Sequence, residues 1–191
     1  MPIEVTGEPM PGLAEYASVP ISFQVRLVLD AVELDGGLGG LMLTERAVDI
    51  PYLKDYDLLD GPETWDGRFD LRNWGWIAAR EGGRRVGGAA VAFDTPGLDM
   101  LQRRRDLAVL WDIRVAPDAR GRGIGAMLFR AAEAWAVSRG CREMKIETQN
   151  VNVPACRFYR RMGCELGGIH RFAYPTLPHE VQLLWHRALA G

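Results

Sequence analysis

The sequence predicts a single domain of mixed α/β (α+β) class. Three observations predict it. Short apolar or alternating segments of strand length, bounded by Gly, Pro and Asp, recur along the chain. A glycine-rich stretch, Gly121 to Gly125, opens an amphipathic helix. A second helix is bracketed by Pro154 and Gly163. At 191 residues and 48% hydrophobic composition, the chain is long and apolar enough to build one full core.

In chain order, Met1 to Pro20 carries several prolines and small residues and is expected to be an irregular N-terminal arm, 1–20, preceding one domain over 21–191. Ile21 to Leu34 is rich in Val, Leu and Phe and predicts a strand, stopped by Asp35-Gly36-Gly37. Leu41 to Val48 predicts a second extended piece. Pro51 to Asp70 is acidic and aromatic without a period, and predicts a loop with a helical turn. Trp74 to Arg80 and Val86 to Phe93 predict a hairpin through Glu81-Gly82-Gly83-Arg84. Asp94 to Arg105 predicts a loop. In Leu107 to Val115, Val109, Trp111, Ile113 and Val115 would share one face of a strand, with Leu110, Asp112 and Arg114 on the other.

Ile124, Met127, Leu128, Ala131, Ala132, Trp135 and Ala136 fall on one helical stripe, and Gly140 is the expected stop. Met144, Ile146 and Thr148 alternate with Lys145 and Glu147, predicting a strand. The helix starting at Pro154 would run through Phe158 and Tyr159 to Met162. Ile169 to Tyr174 and Glu180 to Trp185 predict two final strands. No internal repeat is present.

The formal net charge of -2 argues against a nucleic-acid binder, and Arg103-Arg104-Arg105, closed by Asp106, predicts a solvated loop. No segment is apolar enough to cross a bilayer, and the N-terminus has no signal-peptide pattern. Cys141, Cys156 and Cys164 lack a CxxC spacing, which fits reduced thiols in a cytoplasmic protein. His170, His179 and His186 lack zinc-site spacing, so no metal is expected.

The chemistry concentrates at Arg120-Gly121-Arg122-Gly123-Ile124-Gly125. Glycines there allow close approach of a bulky anion. Amides at the start of a helix point outward unpaired, and the helix dipole adds positive potential. A diphosphate fits that description, with Arg120 and Arg122 as charged donors at its rim. The spacing is neither the dinucleotide fingerprint nor the Walker pattern, and the plain alternative is a glycine turn that only starts a helix.

This stretch resembles the R/Q-x-x-G-x-G/A signature of the GNAT acetyltransferase superfamily. Asp112-Ile113-Arg114-Val115-Ala116-Pro117 looks like its fourth strand. Asn152, Ala155 and Phe158-Tyr159, followed by Met162-Gly163, look like its N-x-x-A-x-x-x-Y-x-x-x-G element. More narrowly, Ile146-Glu147-Thr148-Gln149-Asn150-Val151-Asn152-Val153-Pro154-Ala155-Cys156 resembles a stretch of streptothricin acetyltransferases, continued by Leu166-Gly167-Gly168-Ile169 and Tyr174. The chain departs from the pattern at Cys164, where Phe is usual, and from Trp65 to Arg105.

The resemblance implies a GNAT fold: a mixed, mostly antiparallel sheet flanked by helices, whose splayed central strands bind acetyl-CoA. The implied cosubstrate contacts are Ile113, Arg114 and Val115 along the pantetheine, and Arg120, Gly121, Arg122, Gly123, Ile124, Gly125 and Ala126 at the diphosphate. Asn152, Ala155, Phe158 and Tyr159 would complete them. It also implies that Tyr159 donates a proton to the departing thiolate, with packing in the core as the alternative. An alkyl ammonium, with a reference pKa of about 10.4, must lose a proton before attack. Asp112 and Glu147 are the candidate acceptors, or else anchors for a cationic substrate or strand-edge ion pairs. The expected partner is a small-molecule amine, with neither nucleic acid nor membrane, and dimers are common in the superfamily. The acceptor could be a streptothricin-type antibiotic, a polyamine, an amino acid, a peptide or a protein N-terminus. The alternative outside catalysis is a CoA-binding module without turnover.

Overall fold

The structure, a computed structural model, describes residues 1–190. It contains the strands β1 (Ile3–Glu8), β2 (Phe23–Glu33), β3 (Leu41–Lys54), β4 (Gly75–Glu81), β5 (Arg84–Ala92), β6 (Leu107–Val115), β7 (Glu143–Gln149), β8 (Glu165–His170) and β9 (Gln182–Ala188). The helices are α1 (Leu13–Ala17), α2 (Asp57–Asp60), α3 (Ile124–Ser138) and α4 (Val153–Arg161). The main sheet has the strand order β1-β4-β5-β6-β7-β9-β8, and β2 pairs with β3 in a separate ribbon. The pairs β1–β4, β4–β5, β5–β6 and β8–β9 are antiparallel. Between β6 and β7 the chain runs through α3.

Two compact units share this chain. The first comprises Met1–Ser22, Asp55–Lys145 and the residues from Ala188; the second comprises Phe23–Lys54 and Ile146–Arg187. The strand β7 begins in one and ends in the other.

In the first unit, close approach explains two glycines. A Cβ on Gly75 would lie 2.4 Å from the ring of Trp135 in α3, and one on Gly88 would lie 2.7 Å from the ring of Tyr16 in α1. Neighbouring strand residues face opposite ways. Gly87, next to Gly88, faces Leu128 of α3, so α1 and α3 cover opposite faces of the sheet. On the α3 side, Ile124, Leu128, Phe129, Ala132 and Ala136 are buried. On the other side, Tyr16, Trp65, Trp74 and Trp76 form an aromatic core with Leu71, Leu98 and Leu101, against which Phe69 and Trp111 pack.

Several expectations need correction. The first twenty residues are not irregular: β1 pairs along its whole length with β4, and Tyr16 of α1 is 1% exposed. Neither element is long enough to announce itself by periodicity. β3 runs on to Lys54, through Pro51, because its pairing to β2 jumps from Tyr52 to Ala47 and leaves Pro51 in an unpaired irregularity where no donor is needed. Tyr174 lies in the β8–β9 loop, not on a strand. On β6 the predicted faces do not hold: the register slips at Trp111, so Val109, opposite Ala92, lies on the same enclosed side as Asp112 and Arg114, while Leu110, opposite Val91, lies with half-buried Ile113 and Val115.

In the second unit, buried Asn150 fixes the ribbon. Its Nδ2 donates to Leu29 O (3.0 Å) and its Oδ1 accepts from Val181 N (2.8 Å). Its main-chain groups bond the same two residues. Among the described residues no helix is long and apolar enough to cross a membrane. All three cysteines are buried and none is in a disulfide. No group of three or more His, Cys, Asp or Glu is placed to hold a metal among the described residues.

Candidate active site

The first unit carries the glycine loop. After β6, a short helical turn over 117–119 leads to extended Arg120, and the chain then takes left-handed φ values of 77° at Gly121 and 81° at Gly123. Only glycine adopts these without strain. A Cβ at either would meet nothing within 4 Å, so this side of the loop is open. No side chain caps α3. The first i→i-4 bond near its start runs from Met127 N to Gly123 O (3.1 Å). The amides of Ile124, Gly125 and Ala126 therefore precede any partner within the helix. Such a terminus, with its positive dipole end, suits a phosphate group.

The two arginines serve the loop differently. Arg120 Nε donates to Val115 O (3.0 Å), and its Nη2 donates to Pro20 O (3.3 Å) and Ser22 O (2.9 Å). It braces main chain on both sides of the loop. Arg122 makes a bidentate pair with Glu81 (2.7 and 3.0 Å) and is well exposed.

Asp112 sits on β6 in a buried network. Its Oδ1 accepts from Tyr16 Oη (2.7 Å) and Arg114 Nε (2.9 Å), and its Oδ2 accepts from Arg114 Nη2 (2.8 Å). Arg114 also donates to both oxygens of Asp57 (3.0 Å each) and to Val19 O (3.1 Å). Burial works against its charge, but Asp112, then Tyr16 and Asp57, more than offset that and hold the guanidinium firmly protonated. Burial first, and Asp112 second, push the Tyr16 hydroxyl well above its usual range. Of the readings the sequence left open for Asp112, this geometry favours the ion pair. Arg114, aligned by the sequence with the pantetheine contacts, spends its side chain here as well. In the acidic stretch, Asp57 is taken by Arg114, Asp60 by Arg68, and Asp70 by Arg72, which lowers the Asp70 carboxyl to about 2.

The second unit carries the other candidates. Asn152 is the N-cap of α4, its side chain accepting from Ala155 N (3.2 Å). Tyr159 is 5% exposed, with its ring 5.2 Å from Phe158 and 6.4 Å from Trp185. Trp185 Nε1 donates to Thr148 Oγ1 (3.0 Å). Cys156, which packs against Thr148, is held protonated by burial. Half-buried Glu147 accepts from Tyr174 Oη at Oε1 (2.6 Å) and from Gln182 Nε2 at Oε2 (2.8 Å). Gln149 Nε2 in turn donates to Tyr174 Oη (2.9 Å).

A model of the acetyltransferase (GNAT) family matches residues 45–164. The chain belongs to the GNAT acetyltransferase family. A streptothricin acetyltransferase of Escherichia coli is 40% identical over 91% of this chain and 90% of its own length. The crystal structure of a nourseothricin acetyltransferase shares 26% identity over 98% of this chain and 99% of that one, with a TM-score of 0.76. A putative streptothricin acetyltransferase of Bacillus anthracis, solved with acetyl coenzyme A, superposes with a TM-score of 0.75 at 23% identity, over 98% and 99% of the two chains. As a GNAT acetyltransferase, this protein uses acetyl-CoA as its acetyl donor, and its glycine loop is of the right chemistry to receive the diphosphate.

Within this GNAT chain, sequence reasoning missed the side chains that hold the candidate carboxylates. Tyr16 lies 96 positions from Asp112, and Gln182 lies 35 from Glu147. Only Tyr174 carried a signal, as part of the narrower resemblance.

Proposed function

We propose that this protein acetylates a primary amine of a streptothricin-type antibiotic, conferring resistance by acetylation. The observation that carries the acceptor is the 40% identity to a streptothricin acetyltransferase across nine-tenths of both chains. The three buried cysteines, none in a disulfide, suit a cytoplasmic enzyme.

In this reading acetyl-CoA is a substrate, held by the amides of Gly121 to Ala126 through its diphosphate. The acceptor arrives as an ammonium, and Glu147 receives it and takes its proton, directly or through water. The neutral nitrogen attacks the thioester carbon, an N–C bond forms and the C–S bond breaks. Tyr159 supplies the proton that the thiolate needs, and the second proton, lost by the acylated nitrogen, restores the phenol. Burial of Tyr159 supports this role, because an enclosed hydroxyl is held apart from bulk water. Asp112, committed to Arg114 and Tyr16, serves as scaffold.

The test is thiol release from acetyl-CoA against streptothricin and a panel containing a polyamine, an amino acid and a peptide. Release with streptothricin is expected. Turnover of another amine only would overturn the acceptor, and tight CoA binding with no release against any amine would leave a binding module. Tyr159→Phe should lower kcat by about 100-fold while acetyl-CoA binding is unchanged, and an unaltered kcat removes the acid role.

A further inference from the structure

In the second unit four polar side chains interlock on β7, β9 and the loop between β8 and β9. Glu147 and Gln149 share one face of β7, opposite to buried Ile146 and Thr148. Both Glu147 oxygens are engaged, one by the Tyr174 hydroxyl (2.6 Å) and one by the Gln182 amide (2.8 Å). Both donors are neutral, so they orient the carboxylate without cancelling its charge. Gln149 donates to the Tyr174 oxygen (2.9 Å), which occupies an acceptor site on the phenol and leaves its single O–H to point at Glu147. The chain Gln149 to Tyr174 to Glu147, closed by Gln182, therefore has one sense of donation and fixes a half-buried negative charge in place.

We propose that Tyr174, with Gln182, is a positioning residue for amine recognition, and that this set is a preformed receptor for the ammonium group of the acceptor. The inference rests on the reading of Glu147 as the group that receives the amine. A carboxylate neutralised by Lys or Arg would gain little from a substrate cation. One held by neutral donors keeps its full attraction and loses no orientational freedom on binding.

The experiment measures kcat and KM for both substrates in wild type, Tyr174→Phe, Glu147→Gln and the double variant. Calorimetric titration of streptothricin, spermidine and lysine amide into the CoA-saturated proteins runs in parallel. Tyr174→Phe should raise KM and Kd for the amine about tenfold, the loss of one hydrogen bond to a charged group. KM for acetyl-CoA and the melting temperature should stay as in wild type. In the Glu147→Gln background Tyr174→Phe should add no further loss, since the group it orients is already neutral. Gln182→Leu should shift the amine constants in the same direction, and it carries the test if Tyr174→Phe does not fold. The proposal is overturned by unchanged amine constants, by equal losses for both substrates, or by an additive double variant. If the wild type neither binds nor acetylates any amine of the panel, the proposed function falls together with it; turnover with indifferent variants sinks this inference alone.

Discussion

Arg114 shows how a charged residue comes to sit at 2% exposure on a strand that sequence patterning reads as apolar on its other face. Its donors meet Asp112, Asp57 and the Val19 carbonyl, so the charge is enclosed with partners and not against hydrocarbon. Removing the cation leaves two carboxylates facing each other without it. Arg114→Met should destabilise the fold by about 3–5 kcal/mol in chemical denaturation, and a loss below about 1 kcal/mol contradicts the buried network. Tyr16 adds a dependence on pH. Its hydroxyl ionises only well above the usual range when folded, whereas in the unfolded chain it titrates near ~10. Above that pH the native state binds the extra proton, so stability falls as pH rises from the unfolded value towards the folded one. Tyr16→Phe should be less stable than wild type at neutral pH, through loss of the bond to Asp112, yet show a shallower alkaline decline. Denaturation midpoints measured across pH 8 to about 11 test this, and parallel declines would refute it.

At the scale of elements, the start of α3 was the most legible feature of the sequence. Its glycines, arginines and apolar stripe are all within one short window, so local rules suffice. The same holds for α4, whose N-cap Asn152 and Pro154 stand two positions apart. Elements fixed by distant partners were opaque: β1 is a strand because β4 is beside it, and α1 exists to bury Tyr16 beneath Gly88. The β6 pattern misled because alternation carries along a strand only where no extra residue interrupts it, and Trp111 does so between Leu110 and Asp112. The loop itself yields a prediction. Gly123→Ala must hold a left-handed φ of 81°, at a cost of about 1–2 kcal/mol, and puts a methyl group on the open side of the turn. KM for acetyl-CoA should rise about tenfold or more with KM for the amine little changed, as measured by steady-state kinetics. Equal effects on both constants would mean that the loop has no particular tie to the donor.

For the whole molecule, ligand binding should register as stability. At CoA concentrations about 100 times Kd the native state gains roughly 2.7 kcal/mol, which for a chain of this size raises Tm by about 5–10 °C in calorimetry. No shift would argue against a CoA site. Family and fold were readable because two separated motifs stand in order on one chain, whereas the division into two units was not. Its seam falls inside β7, between Lys145 and Ile146, where nothing in composition changes. The β5–β6 ladder carries a similar hidden constraint. Ala90 pairs with Asp112 but Val91 pairs with Leu110, so Trp111 is an extra residue without an opposite number. An in-frame deletion of that single position would leave Asp112 opposite Ala90 and Leu110 opposite Val91, so both halves of the strand would keep their faces and the ladder would become regular. What would go is the residue that lets two consecutive side chains, Trp111 against the aromatic core and Asp112 against Tyr16, stand on the same side. The insertion thus sets a ring and a carboxylate side by side on one short stretch of backbone, an arrangement that strict alternation forbids.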